Sequence, residues 1–432
     1  LTDNQDWIKI VTFSEYLDLC PPLNDVDIPE ASYDEMLEWS GGSWMNFLSK
    51  YPESNQMHKR MLYVSSKISE AEQQPEHRER IEDAQRELYM GQTNCPYWHG
   101  VFGGVYLYHL RKAVYEHLIN ADTIVDGVKY RDENNVGATI KELDFYNRGA
   151  KAIILEDKNF FICVDPLRGG AIRELDYKLK AINLVNTLAR RKEHYHKKIL
   201  ERIKDEFTQP LDVHESIKTV DKRIKKGIFY DKVMRSCLVD HFIDKDLKVE
   251  DFSSCNYVDR GDFVDAPYIA RIEKEKVVLS CEGKVKGRAM LIIKEVRIYS
   301  DTEIEISYIL KNKSNSSVVT FFGTEFNITL PYASSDRYHS EANGKKLGGL
   351  NKSGIALKTN SFSIKDSKNE LGVEFIFSGD PEKIWYFPVM TVSQSERAYD
   401  FTYQSSCVFP IWKVKLDSKE EKNLCIKWIV DA

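Results

Sequence analysis

Eighteen consecutive apolar residues occur nowhere in this 432-residue chain, so no membrane-spanning helix is expected. A surplus of basic residues is also missing. Lysine and arginine total 61 against 67 acidic residues, a net charge of -6, and a phosphate-binding face is basic, so no nucleic-acid partner is expected. The local clusters "RRKEH" and "DKRIKKG" read as solvated faces. Cysteine is sparse: Cys20, Cys95, Cys163, Cys237, Cys255, Cys281, Cys407 and Cys425 lie far apart, with no CxxC pair. That spacing speaks against a disulfide framework and for reduced, mostly buried thiols in a cytoplasmic setting. The opening "LTDNQDW" has neither a methionine nor a charged-then-apolar leader, as expected of a piece of a longer polypeptide. No internal repeat is present.

What is there is a soluble globular composition, 42% apolar and 30% charged, long enough for two or three domains. In the first forty residues, "IKIVTF" reads as a strand running into a helical turn. "PPLNDVDIP" breaks the pattern, and Ser32 with Glu35 forms a candidate capping box. Residues 43–121 are helical by period. Met57, Met61, Val64 and Ile68 form one stripe, and Leu107, Leu110, Val114 and Leu118 form another. Pro75 suits a helix start between them.

From about residue 125 the apolar period becomes two. "KAIILEDKNFFICVDP", "KVVLSCEG", "AMLIIKEVRIYS", "TEIEISYILKNKS", "SVVTFFGTEFNITL", "VEFIFSG" and "KNLCIKWIV" read as strands of a large antiparallel sandwich. Within it, residues 195–235 read as helical or loose.

One segment carries unusual chemistry. "QTNCPYWHGVFGGVYLYHLRKAVYEHLI", residues 92–119, crowds Asn94, Cys95, Tyr97, Trp98 and His99 ahead of a helix. Three readings stand side by side. Cys95 and His99 could act as thiolate and base. Cys95 and His99 could bind a metal with His194 and His196, whose two-residue spacing shares one face of a strand. Or the aromatic rings could cover sugar faces while the amide and imidazole bond to hydroxyls. In the third reading Gly103 and Gly104 let the next helix pack close.

The same segment closely resembles the fifth sequence motif of glycoside hydrolase family 57, in its 4-α-glucanotransferase and α-amylase branch. "FLSKYPESNQMHKRMLYVS" is similar to the stretch before that motif, and "TFSEYL" and "IPEASYDEMLEWS" to the end of the family's barrel. "GGAIRELDY", "RRKEHYH", "DHFI", "GDFVDAPY" and "FPVMTVSQSE" are similar to its C-terminal domain. The resemblance implies an α+β multidomain fold. Residues 1–40 would be the end of an incomplete TIM-like barrel, 41–124 a helical bundle lining the active site, and 125–432 a β-sandwich of galactose-mutarotase type. It implies retaining chemistry on α-1,4-glucan, with two carboxylates about 5 Å apart. The substrate would be an α-glucan or maltooligosaccharide, bound by Asn94, Cys95, Tyr97, Trp98 and His99, with no cofactor and no metal.

Both family carboxylates belong upstream of "TFSEYL", so no residue here matches them. Asp34, Glu35 and Glu38 read as a solvated helix face. Well-known transferases of the family hold an aspartate where Cys95 stands, and the "EWSGGSWMNF" junction is shorter than theirs. Three functions follow: the C-terminal part of a glucan-active enzyme, inactive on its own; a non-catalytic glucan-binding or scaffold descendant; or a mutarotase-like enzyme within the sandwich. The last needs a His and a Glu together, for which His194, His196 and His241 are candidates.

Overall fold

A computed structural model of the chain describes residues 4, 6–24, 26–27, 34–73, 75–129, 138–202, 224, 226–330, 337–368, 371–395 and 399–431. Residues 1–46 and 47–432 are separate compact units.

In the first unit, "IKIVTF" is not a strand. Residues 8–12 have no regular structure, and α1 (Phe13–Leu19) begins inside the motif. The Thr12 hydroxyl accepts from Glu15 N while the Glu15 carboxylate accepts from Thr12 N at 2.7 Å, a reciprocal cap that outweighs the β-branched run. The expected cap at Ser32 lies outside the described residues. Helix α2 (Asp34–Ser40) ends at the short junction, where Gly41 N bonds to Glu38 O and Gly42 N to Leu37 O. Both glycines have positive φ, so "GG" here is a Schellman stop that needs residues free of a Cβ.

The second unit opens with α3 (Asn46–Lys50), α4 (Pro52–Ala71), α5 (Arg78–Met90) and α6 (Tyr108–Lys129). Pro52 and Pro75 each open a turn, where a missing N–H is no loss. Met57, Val64 and Ile68 of α4 meet Ile81, Ala84 and Leu88 of α5 and Val114 and Leu118 of α6 in one core. Leu107 and Leu110, at the start of the second stripe, are only half-buried.

Every strand pairing is antiparallel. One sheet runs in chain order through β1 (Thr139–Leu143), β2 (Ala152–Glu156), β3 (Phe160–Asp165), β4 (Ala171–Tyr177) and β5 (Ile182–Asn183). A nine-stranded sheet has the spatial order β13 (Lys345–Gly349), β12 (Tyr338–Ala342), β15 (Ser361–Asp366), β16 (Gly372–Phe377), β19 (Glu421–Asp431), β10 (Glu303–Asn312), β9 (Arg288–Ile298), β8 (Lys276–Val285), β7 (Ile269–Glu273). The third sheet is β14 (Gly354–Leu357), β17 (Lys383–Gln394), β18 (Tyr399–Leu416), β11 (Val318–Ile328), β6 (Val239–Ile243). In β10, Ile304, Ile306, Tyr308 and Leu310 are buried and alternate with partly exposed neighbours, the two-residue period read from the sequence. These side chains, with Phe322, Trp412 and Trp428, form one core shared by all three sheets. Beyond residue 125 each segment read as strand is strand, with "KAIILEDKNFFICVDP" divided into β2 and β3. Of the stretch read as helical or loose, His194–Arg202 is helix α7, residues 203–223 lie outside the described residues, and Val249–Ser253 forms a short α8 beyond it.

Buried charges join the helices to the first sheet. Arg60 Nη2 meets Asp122 at 2.8 Å and Asp176 at 3.1 Å, and its Nε meets Glu174 at 3.0 Å. Lys67 meets Asp122, Asp126 and Glu156, and Lys178 meets Asp126 at 2.8 Å and Glu156 at 3.0 Å. Burial opposes the Asp122 charge, yet Lys67, Arg60 and Lys178 hold its carboxyl well below the usual range. Burial, then neighbouring Glu174, pushes Asp176 well above it. Such groups are tolerable in the interior only as a set, because removing one partner strands the others.

Candidate functional site

The segment after α5 folds back at once. Tyr97 donates its hydroxyl to Gly91 O at 2.8 Å, Cys95–Tyr97 form a 3-10 turn, and Trp98 is extended. A second 3-10 turn, Gly104–Tyr106, then returns to Trp98, with Val105 N donating to Trp98 O at 2.9 Å. Gly104 has φ +50°, and a Cβ there would sit 2.1 Å from Trp98 O. Glycine is required because backbone meets backbone, not because a helix packs against it.

This loop divides the five candidate residues. Asn94 and Cys95 are exposed, and Trp98 is half-buried with its ring 5.9 Å from that of Phe47. Tyr97 and His99 are interior: Tyr97 belongs to the bundle core, and His99 Nε2 bonds to the Tyr195 hydroxyl at 2.9 Å. A continuous surface wall of all five is therefore not formed. Cys95 lies at the surface while His99 is inside and bonded to Tyr195, which removes the support for a thiolate–imidazole pair. Burial lowers the His99 pKa to about 4, so the ring is neutral.

Behind the loop stands Glu193, which the sequence reading passed over. Its Oε1 accepts from Tyr51 at 2.7 Å and Tyr106 at 2.8 Å, and its Oε2 accepts from Lys50 at 2.8 Å. Burial disfavours its charge, but Lys50 and these hydrogen bonds keep the carboxyl below its ordinary range. Glu53 of α4 completes the joint by accepting from Ala189 N at 3.0 Å and Arg191 at 2.8 Å. Arg111 of α6 is fully buried and bonds to Asn186 Oδ1 at 2.9 Å and Gln404 Oε1 at 2.8 Å, while Gln404 donates to Tyr106 O at 3.0 Å. Segments hundreds of residues apart thus fix one loop. "RRKEHYH" was the one available signal for them.

His194 and His196 lie on helix α7, not on a strand, so two residues' separation turns them about 200° apart and not onto one face. His196 Nε2 donates to Val392 O at 3.0 Å, which leaves Nδ1 as the acceptor of Glu193 N at 3.2 Å. Both ring nitrogens are engaged in holding the fold. Carboxylate oxygens of Asp122, Asp126 and Glu156 lie within 4.8 Å of one another, but the Lys67 and Lys178 ammonium groups are bonded among them and supply the positive charge there.

His241 of β6 does meet a glutamate. Its Nε2 is 3.0 Å from Glu325 Oε1, and its Nδ1 is 2.7 Å from Asp259 Oδ2. Burial opposes its charge, but bonds to Asp259 and Glu325 raise its pKa to about 9. Arg235 Nη1 donates to Glu325 Oε2 at 2.8 Å. Burial likewise opposes the Glu325 charge, and Arg235 with His241 lowers its pKa to about 2.

The family model for the middle domain of alpha-amylase/4-alpha-glucanotransferase matches residues 42–125, and the model for its C-terminal region matches residues 144–426. The chain belongs to this family, glycoside hydrolase family 57. A 4-alpha-glucanotransferase of Thermococcus kodakarensis is 32% identical over 438 residues, covering 94% of this chain and 60% of that protein. An alpha-amylase of Pyrococcus horikoshii is 32% identical, covering 96% of this chain and 62% of its own length. The crystal structure of 4-alpha-glucanotransferase from Thermococcus litoralis aligns with a TM-score of 0.76 and 28% identity, over 98% of this chain and 64% of that one. A galactose mutarotase-like protein from Lactobacillus casei aligns at TM-score 0.42 and 10% identity, over 65% of this chain and 99% of that one. The chain spans about three-fifths of the length of the curated relatives it matches.

Proposed function

We propose that this chain is the C-terminal portion of an α-1,4-glucan-active enzyme, a 4-α-glucanotransferase or α-amylase with retaining chemistry. The observation that carries the reading is the run of two family matches, 42–125 and 144–426, in one chain. Residues 1–40 are assigned to the end of the barrel, 41–124 to the bundle and 125–432 to the sandwich. No residue of the chain matches the family's catalytic pair, and double displacement has no nucleophile without it. The polypeptide on its own is therefore inactive. Its role is to present a glucan to carboxylates supplied from outside these residues.

The glucan surface in this reading is the exposed side of the 92–107 loop. The Trp98 ring offers an apolar face and Asn94 an amide beside it, with Cys95 at the rim. Tyr97 and His99 support that surface from inside. The partner is an α-glucan or maltooligosaccharide. Eight free thiols support a reducing, cytoplasmic setting.

Incubation with maltoheptaose, followed by product analysis and a binding titration, tests both halves. The expected result is binding without turnover. Turnover proportional to protein would overturn the assigned inactivity, and absence of binding would overturn the glucan surface.

A further inference from the structure

The loop between α8 and β7, together with Asp231, Arg235 and Glu325 of β11, lines an open cavity of about 540 Å³, within the usual range for a small-ligand site. It lies in the sandwich, apart from the 92–107 loop. Its floor is made of paired charges. Asp231 is held by Arg190 at 2.5 Å and Arg235 at 2.7 Å, and Glu325 and Asp259 share His241. An ion entering this cavity meets no uncompensated charge on the floor, so the pairing does not favour an ionic ligand.

What the floor still offers is hydrogen bonding. Asp231 is saturated by Arg190 and Arg235, but Asp259 and Glu325 accept three bonds each and retain acceptor capacity, and Lys232 at the wall carries three donors, one of which goes to Tyr257 O. Val264, Ala266 and Pro267 give an apolar wall. Fixed acceptors, a donor and an apolar side in one cavity suit a neutral ligand that carries many hydroxyls on an apolar ring.

We propose that this cavity is a second saccharide site, taking one or two pyranose units. The proposal rests on the reading of the chain as glucan-binding and adds a holding point in the sandwich, distant in sequence from the bundle loop.

Hydrogen–deuterium exchange on the full chain separates the two sites, because peptides 255–268 and 92–107 report on each. Glucose and maltose, raised to their solubility limit, slow exchange in 255–268, by about tenfold when free sugar reaches ten times the dissociation constant. Glucose 6-phosphate protects no better than glucose, because the paired charges of the floor leave its phosphate nothing to gain. Lys232→Ala raises the sugar concentration needed by about tenfold, the loss of one charged hydrogen bond. Glu325→Gln, which keeps the side-chain shape, does the same where thermal unfolding shows it folded. Unchanged exchange in 255–268 of the wild type, or undiminished protection in Lys232→Ala, overturns the proposal. Slowing in 92–107 alone removes this site and leaves the glucan surface standing; slowing in 255–268 alone does the reverse.

Discussion

Tyr106 donates its hydroxyl to Glu193 Oε1 at 2.8 Å, tying the turn before α6 to the segment before α7. The same carboxylate holds Tyr51 and Lys50, so three donors from the bundle converge on one residue of the sandwich. Glu193→Ala removes the acceptor of two buried tyrosine hydroxyls and one half of the ion pair with Lys50, and is expected to cost about 3–5 kcal/mol. Glu193→Gln keeps an acceptor and costs less. Urea unfolding of both variants measures this, and a loss below about 1 kcal/mol for alanine would contradict the role given to Glu193.

Two histidines set opposite pH limits. His241 is raised to about 9, so its stabilisation is complete below 6.5, the ordinary value, and is lost as pH rises through 9. His99 is lowered to about 4, so its contribution is complete above 6.5 and is lost as pH falls through 4. Each shift corresponds to about 3 kcal/mol at full extent. An NMR titration of the imidazole signals checks both; either ring titrating near its ordinary value would refute the corresponding half.

Gly104→Ala forces a Cβ onto Trp98 O and strains a left-handed residue, so a loss above about 2 kcal/mol is expected. Gly149 also has positive φ, at +75°, but nothing lies within 4 Å of an added Cβ. Its alanine variant should lose only the backbone term, about 1–2 kcal/mol. Equal losses would mean that the contact with Trp98 carries no weight.

Trp98→Ala, made in an enzyme that also holds the catalytic carboxylates, is expected to weaken maltooligosaccharide binding by about 1–3 kcal/mol, the scale of ring stacking. The ring is half-buried beside Phe47, so melting falls as well, by less than the roughly 3–5 kcal/mol of a core tryptophan. A sharp melting loss with unaltered binding would assign the ring to the core alone.

Thiol titration should find all eight cysteines after denaturation without reductant. In the native protein Cys20 and Cys95 react first, because both are exposed, while Cys163, Cys237 and Cys407 wait for unfolding. Thiols protected in pairs would contradict this order.

The strands were legible because their inward residues repeat every second position, as in "TEIEISYILKN", and α4 because its apolar stripe repeats at helix spacing. "IKIVTF" misled because β-branched residues signal a strand only where a neighbour exists to pair with, and a local cap at Thr12 and Glu15 decided the matter. The candidate loop was found from its own composition. Which of its side chains turn inward depended on Glu193 and Tyr195, about a hundred residues away. His241 and Glu325 pair across adjacent strands 84 residues apart, a distance at which spacing in a single sequence carries no signal.

The charge set between the bundle and the first sheet has a consequence for how these parts can be inherited. Arg60 and Lys67 come from α4, Asp122 and Asp126 from α6, Glu156 and Glu174 with Asp176 from two strands, and Lys178 from just beyond. The helical side balances two cations against two carboxylates, but the sheet side brings three carboxyl groups and one ammonium, so its surplus acids depend on Arg60 and Lys67. A chimera that took its helices from one relative and its sandwich from another would bury mismatched ions unless both parents carried the same set. The two halves are expected to pass through evolution and through engineering as one cassette, with the crossover point outside residues 60–178.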